Sequence, residues 1–98
     1  MNQVYNLIAK YGKVMSSETK VAVLHALASG EKRCRDIYKF TGLSGNSVQS
    51  ALGDLEKQGF VAASVKNGLK HYHLTKPNQT LDFMNNLGLF ANDIEKVS

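Results

Sequence analysis

Ninety-eight residues make about one domain, with a single hydrophobic core and no linker inside it. A hydrophobic share of 43% with 20% charged residues is that of an ordinary soluble globular chain. The longest apolar run falls far short of the ~20 residues a helix needs to cross a bilayer, and no membrane partner is expected. The net charge of +4 says less than its placement. Between Lys32 and Lys76 stand eight basic residues (Lys32, Arg33, Arg35, Lys39, Lys57, Lys66, Lys70, Lys76) against three acids (Asp36, Asp54, Glu56), so the middle of the chain carries +5 and the ends together −1. Such a positive middle suits an anionic partner, although a lysine-rich solvated face gives the same count. The lone cysteine, Cys34, has no internal partner and fits a reducing compartment. Met1 to Lys13 shows no signal-peptide pattern, so the cytoplasm is the expected location.

Val4, Leu7, Ile8 and Tyr11 fall on one face at helical spacing and predict an N-terminal helix closed by Gly12. Ser16 or Ser17 caps a second helix running to Ala28, with Val21, Leu24, Leu27 and Ala28 as its inner stripe. Ser29-Gly30 ends it, and a short helix from Arg33 to Phe40 buries Ile37 with Tyr38, Phe40 or both. Thr41-Gly42 supplies a turn. Ser44 then caps a helix to Gln58 whose inner stripe is Val48, Ala51, Leu52 and Leu55, with Gly59 as its stop. Phe60 to Lys66 and Leu69 to Thr75 read as strands joined by Asn67-Gly68, a strong two-residue hairpin signal. Pro77 ends the hairpin, and Thr80 to Val97 is a final helix weakened at Gly88.

The fold class is therefore mainly α with one small β-hairpin: a winged helix-turn-helix with extra N- and C-terminal helices. The single domain, 1–98, divides into an N-terminal helix (1–15), a winged core (16–76) and a C-terminal helix (78–98).

The stretch Ser17 to Thr75, three-fifths of the chain, resembles the ArsR/MarR-like winged-helix repressors. Three phrases carry the likeness. Ser16 to Lys32 matches the scaffold helix, Cys34 to Val61 the helix-turn-helix, and Val65 to Thr75 the wing. The recognition helix opens on Leu43, Ser44, Ser47, Val48 and Leu52 and closes on Leu55, Gly59, Phe60 and Val61. The resemblance implies a transcription regulator, typically a repressor, that binds double-stranded DNA. Metal-sensing relatives carry two cysteines, one residue apart, where Arg33 and Arg35 flank Cys34 here. The segment Thr80 to Ser98 also has no histidine. A metal-responsive switch is therefore not expected, and the two arginines suggest phosphate contacts instead.

With the apolar stripe facing the core, Ser44, Asn46, Ser47, Gln49 and Ser50 are the candidates for base contact. Asn and Gln suit bidentate pairing with adenine, and Ser can donate or accept at several bases. Gly45 and Gly53 remove bulk from this helix. Ser44 is also explicable as an N-cap alone, and the others as an ordinary solvated face. Backbone and wing contacts are assigned to Lys32, Arg33, Arg35, Lys39, Lys66, Asn67, Gly68, Lys70 and His71. Lysines on a strand also discourage edge-to-edge association, so Lys66 and Lys70 have two compatible explanations. Asp54 and Glu56 are expected to point away from the duplex.

Tyr72 and Leu74 should pack inward, leaving His71 and His73 on the outer face. Two ligands are too few for zinc, and His25 reads as partly buried, so neither metal nor cofactor is expected. Cys34 lacks a His/Asp partner for catalysis, and an enzyme is not expected.

Phe83, Leu87, Phe90, Ile94 and Val97 are spaced four, three, four and three, a heptad-like seam that predicts a homodimer. Leu81 and Met84 form a second edge for the chain's own core. The alternative is that this helix folds back over Val4, Leu7, Ile8 and Tyr11. The competing function is a winged helix used for protein–protein contact, without base readout.

Overall fold

The computed structural model describes residues 3–85. Four helices, α1 (Gln3–Met15), α2 (Glu18–Ala28), α3 (Cys34–Thr41) and α4 (Gly45–Lys57), precede two strands, β1 (Val61–Lys66) and β2 (Leu69–Leu74). A fifth helix, α5, begins at Pro77, and its described part covers 77–85.

Local chemistry sets most of these boundaries. The Ser17 hydroxyl accepts from the Lys20 N–H at 3.3 Å, capping α2. Gly42 closes α3 in the left-handed conformation, φ 73°, which glycine adopts without a steric penalty. At the hairpin tip both Asn67 (φ 53°) and Gly68 (φ 76°) are left-handed, as a type I′ turn demands. Its strands pair antiparallel from Val61↔Leu74 to Lys66↔Leu69.

Two boundaries differ from the sequence expectation by more than one residue. Gly12 does not end α1, which continues to Met15 because Val14 is drawn into the core. Pro77 does not merely end the hairpin. It occupies the first turn of α5, where a missing N–H costs nothing, so that helix starts three residues before Thr80. Gly88 lies outside the described residues.

The core draws on α1 to α4 and on the hairpin. Val14 of α1, Val23 and Leu24 of α2, Ile37 of α3, and Val48, Leu52 and Leu55 of α4 are fully buried, with Val61, Tyr72 and Leu74 closing it from the hairpin. The observed α2 stripe is Val23, Leu24, Ala26 and Leu27, while Val21 and Ala28 are half-buried. α1 and α5 meet through aromatics. Tyr11 lies edge-on to Phe60 and stacked on Phe83, with ring centroids 4.9 Å apart in each case, and its hydroxyl donates to Gln79 Oε1 at 3.2 Å. Leu7 and Ile8, expected on the inner face of α1, are instead exposed, as is Tyr5. Phe40 is also exposed, with His25 edge-on at 5.4 Å, so neither belongs to the core.

The sheet gains a third edge from the loop between α2 and α3. Lys32 N–H donates to Tyr72 O at 3.0 Å and Tyr72 N–H to Lys32 O at 2.8 Å. β2 is thus paired on both sides, and the hairpin is tied to the helical body rather than left free.

Candidate nucleic-acid interface

α4 is fixed at its start by four short-range bonds. Thr41 Oγ1 donates to Ile37 O at 2.8 Å and accepts from the Leu43 N–H at 3.2 Å, holding the turn. The Ser44 hydroxyl accepts from the Ser47 N–H at 3.2 Å and donates to Ser47 Oγ at 2.9 Å. Burial of Val48, Ala51, Leu52 and Leu55 then turns the opposite side outward. Asn46, Gln49 and Ser50 are exposed and Ser47 is half-buried. Ser44 and Ser47 are occupied with each other. The groups left open are the Asn46 amide, the Ser50 hydroxyl and the part of the Gln49 amide that Tyr38 does not engage.

Asn46, Ser47 and Ser50 share a groove with Ser17, Thr19 and Lys20 from the start of α2. Asp54 lines the same groove. It does not point away from this face, as the sequence suggested, because positions 46, 50 and 54 recur at four-residue spacing on one side of a helix. Its charge is met by Lys20, Nζ to Oδ2 3.6 Å. On the neighbouring flank, Gln49 Nε2 donates to the Tyr38 hydroxyl at 3.2 Å. Lys20 and Tyr38 were both missed by sequence reasoning. Lys20 lies far from α4 in the chain, and Tyr38 reads as a core aromatic although it is only half-buried.

The basic residues divide into engaged and open. Arg33 Nε lies 3.7 Å from Asp36 Oδ2, and Lys32 Nζ donates to Ser29 Oγ at 2.7 Å while lying 5.7 Å from the Phe40 ring centroid. Arg35 and Lys39 are exposed, and no ion pair involves them among the described residues. On the hairpin, Lys66 donates to Glu31 Oε2 at 2.6 Å, with His71 Nδ1 3.8 Å from the same oxygen. The Lys66 hydrogen bond holds the Glu31 carboxyl below the usual carboxylate range. Lys70 lies 5.3 Å from the Tyr72 ring centroid, and its interaction with Tyr72 raises its pKa. Asn67 and Gly68 are exposed at the tip.

Alternation along β2 follows the sequence reading for Tyr72 and Leu74, which are buried. His71 and His73 lie on the other face but are half-buried rather than open, and His73 Nδ1 is buried without a hydrogen-bond partner among the described residues. Among those residues no group of three or more His, Cys, Asp or Glu side chains is arranged to hold a metal ion. Cys34 is half-buried at the first position of α3. No described helix is long and apolar enough to cross a membrane. Of the expected dimer seam, Phe83 stacks on this chain's own Tyr11, and Leu87, Phe90, Ile94 and Val97 lie outside the described residues.

Helix, turn, helix and a β-hairpin in immediate succession make this a winged helix-turn-helix protein. The same fold is seen in the homodimeric winged helix-turn-helix DNA-binding domain of a possible ArsR-family transcriptional regulator from Mycobacterium bovis (19% identity, 98% of this chain and 88% of that chain, TM-score 0.79). It recurs in the transcriptional repressor BigR from Xylella fastidiosa (20% identity, 90% and 89%, TM-score 0.81). A MarR-family regulator from Enterococcus faecalis is similar too (17% identity, 98% and 91%, TM-score 0.79). At these identities the likeness establishes the shared fold, and it extends beyond Ser17–Thr75 to nearly the whole chain. No protein-family model matches the sequence, and no curated protein matches it either.

Proposed function

We propose that this protein is a cytoplasmic, sequence-specific transcription regulator that binds double-stranded DNA as a homodimer, with α4 in the major groove and the hairpin against the adjacent backbone. One observation carries the reading. α4 presents the uncharged polar side chains Asn46, Gln49 and Ser50 to solvent on a helix whose opposite stripe is wholly buried. Amide and hydroxyl side chains at the start of a helix can read base edges by hydrogen bonding, Asn and Gln pairing with adenine, whereas phosphate contacts carry no sequence information directly. The open cations Arg35 and Lys39, with Lys70 on the hairpin, supply the backbone contacts. The M. bovis neighbour is described as a homodimeric DNA-binding domain and the X. fastidiosa one as a repressor, which favours the same use of the fold here.

Selection of bound sites from a random duplex pool tests the proposal directly. A defined motif should emerge, and Asn46→Ala should then weaken that site by ~1–3 kcal/mol while leaving random DNA nearly unaffected. Equal weakening on both would remove Asn46 from base readout. Enrichment of no motif would favour a protein–protein module instead.

A further inference from the structure

Tyr38 sits in α3, outside the recognition helix, yet two features tie it to that helix. Its ring lies against the first turn of α4. A Cβ placed on Gly45 would be 3.4 Å from the ring Cζ and 3.5 Å from the hydroxyl, ordinary van der Waals contact, so the ring covers this position closely without excluding a methyl. The hydroxyl, in turn, accepts from Gln49 Nε2 at 3.2 Å. Gln49 is otherwise exposed and long, with among the largest rotamer freedoms of any side chain. The hydrogen bond restrains the amide and turns Nε2 toward Tyr38.

That orientation has a chemical consequence. One Nε2 proton is committed to Tyr38, leaving the second Nε2 proton and Oε1 of this exposed side chain available as a donor–acceptor pair. The major-groove edge of adenine offers the complement, an N7 acceptor beside an N6 donor. The Tyr38 hydroxyl accepts through a lone pair and keeps its own proton. We infer that Tyr38 is a positioning residue for base readout, holding the Gln49 amide for adenine. The inference rests on the DNA-binding reading above.

Tyr38→Phe keeps the ring against Gly45 and deletes only the hydroxyl. The native protein, Tyr38→Phe, Gln49→Ala and the double variant are measured on the selected site and on every single-base change within it. Tyr38→Phe should weaken binding roughly 3- to 10-fold, the range for one lost neutral hydrogen bond. The loss should be confined to one A·T position, the same one at which Gln49→Ala loses discrimination, and the double variant should be no worse than Gln49→Ala. Native discrimination by Tyr38→Phe at every position would overturn the inference, leaving Tyr38 as packing. A uniform loss on all sequences would also overturn it and make the hydroxyl a phosphate contact, and so would additive effects of the two substitutions. These failures leave the selected motif intact. Failure of the DNA reading shows earlier, as a native protein that enriches no motif, and takes the inference with it.

Discussion

Glu31 shows how one acidic side chain can govern a basic surface. Its carboxylate accepts from Lys66 at 2.6 Å and faces His71 Nδ1 at 3.8 Å and the Ser64 hydroxyl at 3.5 Å. A phosphate approaching the hairpin must therefore compete with Glu31 for Lys66. Glu31→Gln should release that lysine and tighten binding to all DNA sequences a few-fold at neutral pH, the scale of an exposed ion pair. Fluorescence anisotropy on specific and random duplexes would check this, and unchanged affinity on both would take Lys66 out of the interface. The pKa gives a second readout. A carboxyl lowered in the folded state contributes its stabilisation above the unfolded carboxylate range and loses it as pH falls through the lower, folded value. An NMR titration should accordingly find Glu31 titrating below an ordinary glutamate, and Lys66→Ala should bring it back up.

At the scale of elements, α4 carries an apparent defect. Gly53 lies in its interior, exposed, and a Cβ there would meet nothing within 4 Å. Glycine in such a place costs roughly 0.5–1 kcal/mol relative to alanine, so Gly53→Ala should stabilise the free protein by about that amount in thermal unfolding. If the helix seats deep in the groove, the same methyl should weaken DNA binding, and opposite signs in the two measurements would mark Gly53 as kept for function. Tighter folding with unaltered binding would place position 53 clear of the duplex. The elements themselves were legible because their signals are local. Ser17 and Ser44 cap within three residues, Gly42 stops a helix, and Asn67-Gly68 specifies its own turn. The boundaries at Gly12 and Pro77 were misread because tertiary packing of Val14 and a first-turn proline override a punctuation rule. In the site, the solvent side of α4 follows from its buried stripe, so Asn46, Gln49 and Ser50 could be named from periodicity. The partners could not. Gln49 meets Tyr38 across a turn, Lys66 meets Glu31 across 35 residues, and Lys32 pairs with Tyr72 across the sheet. Such contacts depend on how elements dock, which spacing within one element does not encode.

For the whole molecule, the proposed function leans on self-association. One recognition helix reads only a few base pairs, too little discrimination against a genome of competing sites. Two copies about a two-fold axis would set their recognition helices one turn apart, about 34–36 Å, on successive major grooves. The structure changes where that contact is sought. Phe83 stacks on Tyr11 within the chain, so its truncation should chiefly destabilise the fold, at or below the ~3–5 kcal/mol of a fully buried aromatic. The rest of the seam, Leu87, Phe90, Ile94 and Val97, keeps its heptad spacing, and the structure adds exposed Tyr5, Leu7 and Ile8 on α1, the helix that Phe83 packs against. An interface using both helices predicts that Leu87→Glu and Ile8→Glu each yield a folded monomer with most specific affinity lost, because a buried unpaired charge is costly. Sedimentation equilibrium at micromolar concentration, with circular dichroism to confirm folding, reads both arms. Monomer from Leu87→Glu but an intact dimer from Ile8→Glu would confine the interface to the C-terminal seam. A native monomer that still occupies one palindromic site tightly at one-to-one stoichiometry would defeat the dimer altogether.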